Sequence, residues 1–404
     1  MQADPIFSYG EAGAADIELI DSRTRALRPA IARLFVDVRW FNPSLDGQTF
    51  DWDNRHCRNL CRQVELLAAL GTRINLVLFK PHELATKLVD AMVALIERLP
   101  GIGWLTLFNE PDSLFVHDSP LARKVFPGKP PRWDDFVKLS RYTSERLPAG
   151  IRLATPDCVW GHPMRVERME LAVRDLADLD VAFSYHNYSP EWPDFPAPPE
   201  FTYPGVVAET KLFRQMIGPE RELIVWETNA AGIHFTNLFP GVGLHGEDLL
   251  GSLDTAVELT AKLMAMLNHG VDGICLWCLS DGVYLPFVKP GEVMEFGLWR
   301  DKRHGWEYRP YAHYFTALCH AFRPGMQLLR VENDNVLAAR AGNQLTVAVL
   351  NDTLADKTVH LDLPSNGTRL IIRPGTFGKA ESQPFTPPLT LAGRELSILT
   401  FDER

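Results

Sequence analysis

Two glutamates stand at the ends of apolar runs, where a chain of alternating strands and helices presents reactive groups. Glu110 follows the run Ile102–Phe108 in "GIGWLTLFNEPD", directly after Asn109, and Glu227 closes the run Glu222–Glu227 in "ELIVWETN". Two carboxyl groups brought together can cleave a glycosidic bond: one protonates the leaving oxygen while the other attacks the anomeric carbon, at a separation of about 5 to 5.5 Å when configuration is retained. The two environments must then keep one carboxyl protonated and the other ionised. Other strands supply companions to this pair: His186 and Tyr188 end "VAFSYHNY", Trp277 and Asp281 close "GICLWCLSD", and "RLFVDVRWF" carries Arg33, with Trp40 near its end. An amide bonds a sugar hydroxyl, and a flat indole stacks on a sugar face. Pro111 biases Glu110 away from helical backbone angles and turns the chain outward.

Such a set requires elements that converge on one mouth. Eight short apolar runs, Pro5–Tyr9, Arg33–Val38, Arg73–Phe79, Ile102–Phe108, Ile151–Thr155, Val181–His186, Glu222–Glu227 and Gly273–Cys278, alternate with helical patterns. That alternation predicts a (β/α)₈ TIM barrel of class α/β, whose catalytic side chains project from the C-terminal ends of the strands. "DNRHCRNLCRQVELLAALG" and "LLGSLDTAVELTAKLMAMLNHG" carry apolar residues at helical spacing and stop at Gly71 and Gly270, as helices do before a strand. The proline-rich stretch 189–205 reads as an irregular loop after the sixth strand. From residue 325 to 404 the pattern changes to short strand-like runs separated by Gly, Asn, Asp and Pro, such as "QLTVAVLND" and "TRLIIRPG". The expected organisation is therefore a barrel over 1–324 followed by a smaller all-β, sandwich-like domain over 325–404.

With these motifs in this order, the sequence resembles the clan A retaining glycoside hydrolases, and within them the family of β-xylosidases and α-L-iduronidases (family 39 type). "WLTLFNEPD" is similar to that family's acid/base segment, "FSYHNYSP" to its sixth strand, "IVWETN" to its nucleophile strand and "LWCLSD" to its eighth strand. "FGLWRDKRHGWEYRPYAHYF" resembles the family's return to the barrel before the β domain. The resemblance implies Glu110 as acid/base, Glu227 as nucleophile and Asn109 as a bond to the glycone. It also implies His186 and Tyr188 as residues orienting nucleophile or substrate, and Arg33 as electrostatic support for Glu227. Two departures bear on the sugar: Phe35 stands where relatives often carry a polar sugar-binding residue, and "NEPD" differs from the commoner amide-containing continuation.

The composition sets outer bounds. A formal net charge of −10 over 404 residues, with no basic block, argues against nucleic acid or an anionic membrane as partner and points to a ligand that is neutral or contacted through local groups; the resemblance implies a carbohydrate substrate. The oligomeric state is left open. No basic and apolar leader opens the chain, so a cytoplasmic location is expected, or a secreted one if a leader was removed. Six cysteines are too few for a disulfide framework at this length. Cys275 and Cys278 have redox spacing but sit on a strand, and Cys57 and Cys61 lack a second ligand pair for zinc. No metal or organic cofactor is expected, and no phosphate-binding glycine loop is present.

Each residue also has a plainer reading. Glu110 can cap a helix, His186 can be a satisfied core histidine, Trp277 can be barrel packing, and Arg33 can neutralise a buried carboxylate. Lys80, Trp160, Trp40 and Asp281 can be loop-base residues that only pack. The alternatives to hydrolysis are a transglycosylase on the same site and a noncatalytic carbohydrate-binding barrel. The presence of both glutamates argues against the latter, since binding needs neither a proton donor nor a nucleophile.

Overall fold

The computed structural model describes residues 14–78, 85–111, 132–159, 162–188, 203–229, 251–281, 296–364, 366–379 and 381–402. Seven parallel strands pair in chain order: β1 (Ile31–Val36), β2 (Arg73–Leu78), β3 (Ile102–Thr106), β4 (Arg152–Cys158), β5 (Val181–Tyr188), β6 (Leu223–Asn229) and β7 (Gly273–Leu276). The sheet curls until β1 and β7 approach each other, with the Ile31 side chain so close to Gly273 that an added Cβ would meet it at 2.9 Å. This is the expected (β/α)₈ architecture; the expected strand Pro5–Tyr9 lies outside the described residues, as do Lys80, Trp160 and most of the proline-rich loop.

Among the described residues the helices are α1 (Ala14–Leu27), α2 (Val38–Phe41), α3 (Arg55–Ala69), α4 (Thr86–Ile96), α5 (Trp133–Ser144), α6 (His162–Leu176), α7 (Tyr203–Ile217), α8 (Leu253–Asn268) and α9 (Pro310–Ala321). The end of the expected 189–205 loop, Tyr203 to Gly205, instead opens α7. Pro204 is no obstacle there, because the first turn of a helix needs no backbone N–H from it.

Helix α3 buries Cys57, Leu60, Val64 and Leu67, one stripe at helical spacing. It stops where Gly71, at φ +76°, donates to Ala68 while Thr72 donates to Leu67. Helix α8 stops the same way at Gly270, φ +102°, through Gly270 to Leu267 and Val271 to Met266. Both are left-handed caps that satisfy the last carbonyls of a helix, and both return the chain to a strand.

After α9 come β8 (Gln327–Leu329), β9 (Val336–Ala341), β10 (Gln344–Leu350), β11 (Lys357–Val359), β12 (Thr368–Ile372), β13 (Glu381–Pro384), β14 (Leu389–Leu391) and β15 (Leu396–Asp402). Six form an antiparallel sheet in the order β13-β12-β15-β10-β9-β8, and β11 pairs with β14. Residues of opposite parity face opposite cores. Ala348 and Ile398 join the core of the barrel helices, while Val347 and Leu399 join a second core with Phe385 and Leu389. This explains why α8 is buried nearly all round: it is packed by α7 and α9 and covered by β8 and β9. Asn268 bonds the Val336 carbonyl at 2.7 Å and the Tyr314 hydroxyl the Arg394 carbonyl at 2.6 Å across this junction. No helix among the described residues is long and apolar enough to cross a membrane.

Three strands of the barrel break their ladders by one residue, β3 at Gly103 and, nearer the strand ends, β4 and β6. The expected fifth run ends at Thr155, but β4 continues through Pro156 to Cys158. Pro156 pairs with Ser184 and Cys158 with Tyr185, so Asp157 is an extra residue in the ladder, at φ +60°. On β6, Val225 pairs with Tyr185 and Glu227 with His186, so Trp226 is the extra residue. Such bulges re-aim side chains next to functional sites.

Candidate active site

On β5 the alternation is regular: Phe183 and Tyr185 join the core of the helices, Ala182 joins the separate cluster with Trp104 and Trp226, and Ser184, His186 and Tyr188 share the latter parity. Within that cluster Trp104 and Trp226 pack edge to face at 5.2 Å. The one-residue shift on β6 then lets the consecutive Trp226 and Glu227 serve different purposes: Trp226 fills this cluster and Glu227 reaches the charged group formed by residues from β1, β4 and β5.

Arg33, fully buried on β1, is the hub. One terminal nitrogen donates to Glu227 Oε1, and the other donates to Asn109 Oδ1 at 2.9 Å and to Asp157 Oδ2 at 2.5 Å. The Tyr188 hydroxyl donates to Glu227 Oε2 at 2.6 Å, so each oxygen of that carboxylate has a fixed donor. His186 Nδ1 lies 3.0 Å from Glu110 Oε1 and 3.5 Å from Glu227 Oε2. Its Nε2 lies 3.2 Å from Asp157 Oδ1, an ion-pair distance without hydrogen-bond alignment. One oxygen of Glu110, one of Glu227 and a His186 nitrogen all lie within 4.8 Å of one another.

Glu110 follows β3 with φ +53°, in the left-handed region that non-glycine residues rarely adopt. Pro111 disfavours the right-handed helical alternative, and the outcome is a carboxyl presented toward His186 while its side chain keeps 26% exposure. Glu110 and Asp157 are thus two carboxylates on strained backbone around one histidine. Strain of this kind costs about 1 to 3 kcal/mol per residue and collects where function over-determines the geometry.

The electrostatics follow from burial and neighbours. Burial opposes a charge on His186, but Glu227 and Asp157 outweigh it and raise the imidazole to about 10. Asp157 is likewise buried, yet Arg33 and His186 hold its carboxyl below the ordinary range. Burial raises Glu227 above the ordinary carboxylate range, Glu110 adding to the rise and His186 and Arg33 opposing it. The Tyr188 hydroxyl is pushed well up by burial and by Glu227, which keeps it a proton donor.

Glu110, His186 and Glu227 are also the one grouping among the described residues with a geometry suited to a metal ion. The donor set argues against that use. A ligating histidine must be neutral, whereas His186 holds its proton far above neutrality, and both Glu227 oxygens already accept from Arg33 and Tyr188.

The remaining expected site residues divide. Trp277, buried at the end of β7, meets Phe35 edge-on at 6.0 Å, and Phe35 lies under the Arg33 guanidinium at 5.0 Å, so both aromatics wall the charged group. Trp40, on α2 directly after β1, stacks on His56 at 3.9 Å. Asp281 is occupied elsewhere: Arg309 grips both of its oxygens, at 2.7 and 2.9 Å, and the Gly297 N–H takes one at 2.7 Å. This pair is buried and ties the end of the barrel to the segment entering α9. Asp281→Asn is accordingly expected to cost about 3 to 5 kcal/mol of stability, by stranding Arg309, and to leave the KM of folded protein unchanged. Thermal denaturation beside steady-state kinetics on one preparation checks this.

The residue missed in the sequence is Asp157. A carboxylate at a strand end is a signal in itself, but the expected run stopped at Thr155, just before Pro156, a residue that cannot donate to a ladder. The chain continues through it.

No protein-family model matches the chain, and no curated protein matches it significantly. Solved structures do. A glycoside hydrolase family 30 subfamily 8 xylanase from Clostridium acetobutylicum superposes with a TM-score of 0.65, covering 99% of this chain and 95% of its own at 12% identity. A GH39 β-xylosidase from Caulobacter crescentus gives 0.64, with 100% and 95% covered at 13% identity. The fold is the same. A GH39 enzyme from Xanthomonas axonopodis pv. citri adds a TM-score of 0.62, at 14% identity over 100% of this chain and 93% of its own. The likeness thus spans barrel and β sheets together, while identity this low speaks for architecture alone.

Proposed function

We propose that this protein is a retaining glycoside hydrolase acting by double displacement, with Glu227 as nucleophile and Glu110 as acid/base. The observation that carries the reading is the approach of a Glu110 oxygen and a Glu227 oxygen to within 4.8 Å of each other. That favours the short separation of a retaining pair, about 5 to 5.5 Å between carboxyls, over the wider gap an inverting enzyme needs for water. The fold shared with xylanases and xylosidases supports a carbohydrate substrate.

In this reading Arg33 and Tyr188 fix the Glu227 carboxylate with one donor on each oxygen, so it attacks the anomeric carbon from a single orientation. Glu110, the more exposed of the two, gives its proton to the departing oxygen, then takes one from the water that releases the sugar. Asn109 spends its carbonyl oxygen on Arg33, which leaves its NH₂ to donate to the sugar hydroxyl beside the reacting carbon. Trp277 offers an apolar wall to the ring.

Incubation with a panel of 2-deoxy-2-fluoro glycosyl inactivators, read by intact mass and peptide mapping, tests this directly. The expected result is one sugar added per chain, on Glu227, and the sugar that labels fastest names the glycone. An adduct on another residue removes the assignment of the nucleophile. Labelling by none of the sugars, together with glycan binding and no turnover, favours the noncatalytic barrel. Product analysis with an added sugar acceptor separates hydrolysis from transglycosylation.

A further inference from the structure

Asp157 lies behind Arg33, which bonds Glu227, and behind His186, which faces both glutamates. Its Oδ2 takes Arg33 at 2.5 Å, its Oδ1 lies 3.2 Å from His186 Nε2, and Ser184 Oγ stands 3.4 Å away. On the opposite side of the same imidazole, Nδ1 stands 3.0 Å from Glu110 and 3.5 Å from Glu227. The bulge that leaves Asp157 out of the β4–β5 ladder, and its φ of +60°, are what turn a residue flanked by buried Pro156 and Cys158 toward these partners. A buried carboxylate on bulged, left-handed backbone is a costly feature for a barrel strand to carry, and packing alone does not call for it.

We infer that Asp157 is a positioning residue that holds His186 as a fixed imidazolium, whose Nδ1–H faces whichever of Glu110 and Glu227 carries the negative charge. The inference rests on the double-displacement reading. That reading requires Glu227 as the anion and Glu110 as the proton donor when the glycosidic bond breaks. When the glycosidic bond breaks, the Glu110 proton goes to the departing oxygen and Glu227 becomes a neutral ester, so the single negative charge of the pair has moved to Glu110. One N–H placed between the two carboxyls serves both states with no rearrangement. An imidazole that lost this proton would turn an acceptor toward both carboxyls, taking the facing N–H from Glu110 and leaving Glu227 to Arg33 and Tyr188 alone.

The charged and titratable groups facing His186 among the described residues are Glu110 after β3, Asp157 on β4, Glu227 on β6, and beyond them Arg33 on β1 and Tyr188 on its own strand. Three carboxylates surround the ring, and Asp157 is the one whose charge does not change in the cycle. Removing it therefore leaves the imidazolium dependent on the glutamates alone.

The experiment is an NMR titration of ¹⁵N-histidine-labelled full-length protein, with His186 assigned by its loss in His186→Gln, and pH-dependent kinetics on wild type, Asp157→Asn and Asp157→Glu. The expected wild-type result is a doubly protonated His186 at pH 8, in keeping with its raised value of about 10. Asp157→Asn should leave the ring neutral at pH 8, and kcat/KM about 100-fold down there. At pH 5.5, below the ordinary imidazole range, the ring recharges and the loss should shrink to about 10-fold or less. Asp157→Glu, which keeps the charge, should hold the ring protonated. A neutral wild-type His186 at pH 8 overturns the inference without any variant. So does a charged ring in Asp157→Asn, or a loss of equal size at both pH values, which is what a merely structural role would give. Because the titration needs no substrate, absence of glycosidase activity would sink the functional reading while His186 still reports on Asp157.

Discussion

Glu227→Ala is expected to lower turnover by on the order of 10⁴-fold or more while leaving the fold intact, the size of loss seen when a covalent nucleophile is removed. The reason lies in how completely the site is built around that carboxylate. Arg33 and Tyr188 are both buried and both donate to it, so the substitution removes the attacking group and strands two donors aimed at its vacated space. That space gives the test its second readout. Azide or formate is small enough to enter and is drawn by Arg33, and it attacks the anomeric carbon from the face Glu227 occupied. Partial rescue giving a glycosyl azide of inverted configuration is the expected product. The acid limb of the wild-type pH profile belongs to the same prediction. A nucleophile must be ionised, and burial raises Glu227, so kcat/KM should begin to fall as pH drops while still above the ordinary carboxylate range. An unimpaired Glu227→Ala, or rescue with retained configuration, would remove Glu227 from this role.

Much of this site was legible in the sequence because barrels impose a rule: strand ends face the mouth. Asn109, Glu110, His186, Tyr188, Glu227 and Arg33 were all placed by that rule together with the resemblance, and the structure brings all six into one bonded group around Arg33 and His186. What escaped has physical causes. Period-2 reasoning assumes an unbroken ladder, and both β4 and β6 break it by one residue, which no pattern of residue types reveals. Asp157 was lost at the first of these breaks. Asp281 shows the opposite error, since a strand-end carboxylate is as useful to a neighbouring arginine as to a sugar, and Arg309 is distant in sequence from it. In the C-terminal sheets the runs at β9, β10, β12 and β15 carry strand patterns, and the three-residue β11 lies inside the longer run 357–364, whereas β8, β13 and β14 span three or four residues each with no such run around them.

Glu110→Gln should separate the two half-reactions in a way no structural residue could imitate. Without a proton donor, the aglycone departs only as readily as its own basicity permits. Cleavage of a glycoside with an alkyl or sugar leaving group should slow by about 10² to 10⁴-fold, while a dinitrophenyl glycoside, which needs no proton, should glycosylate Glu227 at nearly the wild-type rate. The second step then lacks its base, so the glycosyl-enzyme accumulates, seen as a burst of phenolate followed by a slow steady state and as a mass increment on Glu227. Azide, which needs no base to activate it, should speed that slow phase and yield a product of retained configuration, the mirror of the Glu227→Ala result. The geometry makes the substitution conservative: a glutamine can keep an oxygen facing His186 Nδ1 at the 3.0 Å contact of Glu110, so the imidazole retains a partner and the effect isolates the proton. Equal slowing of both kinds of substrate would instead mean that Glu110 only supports the architecture of the mouth, and the acid/base role would pass to another group.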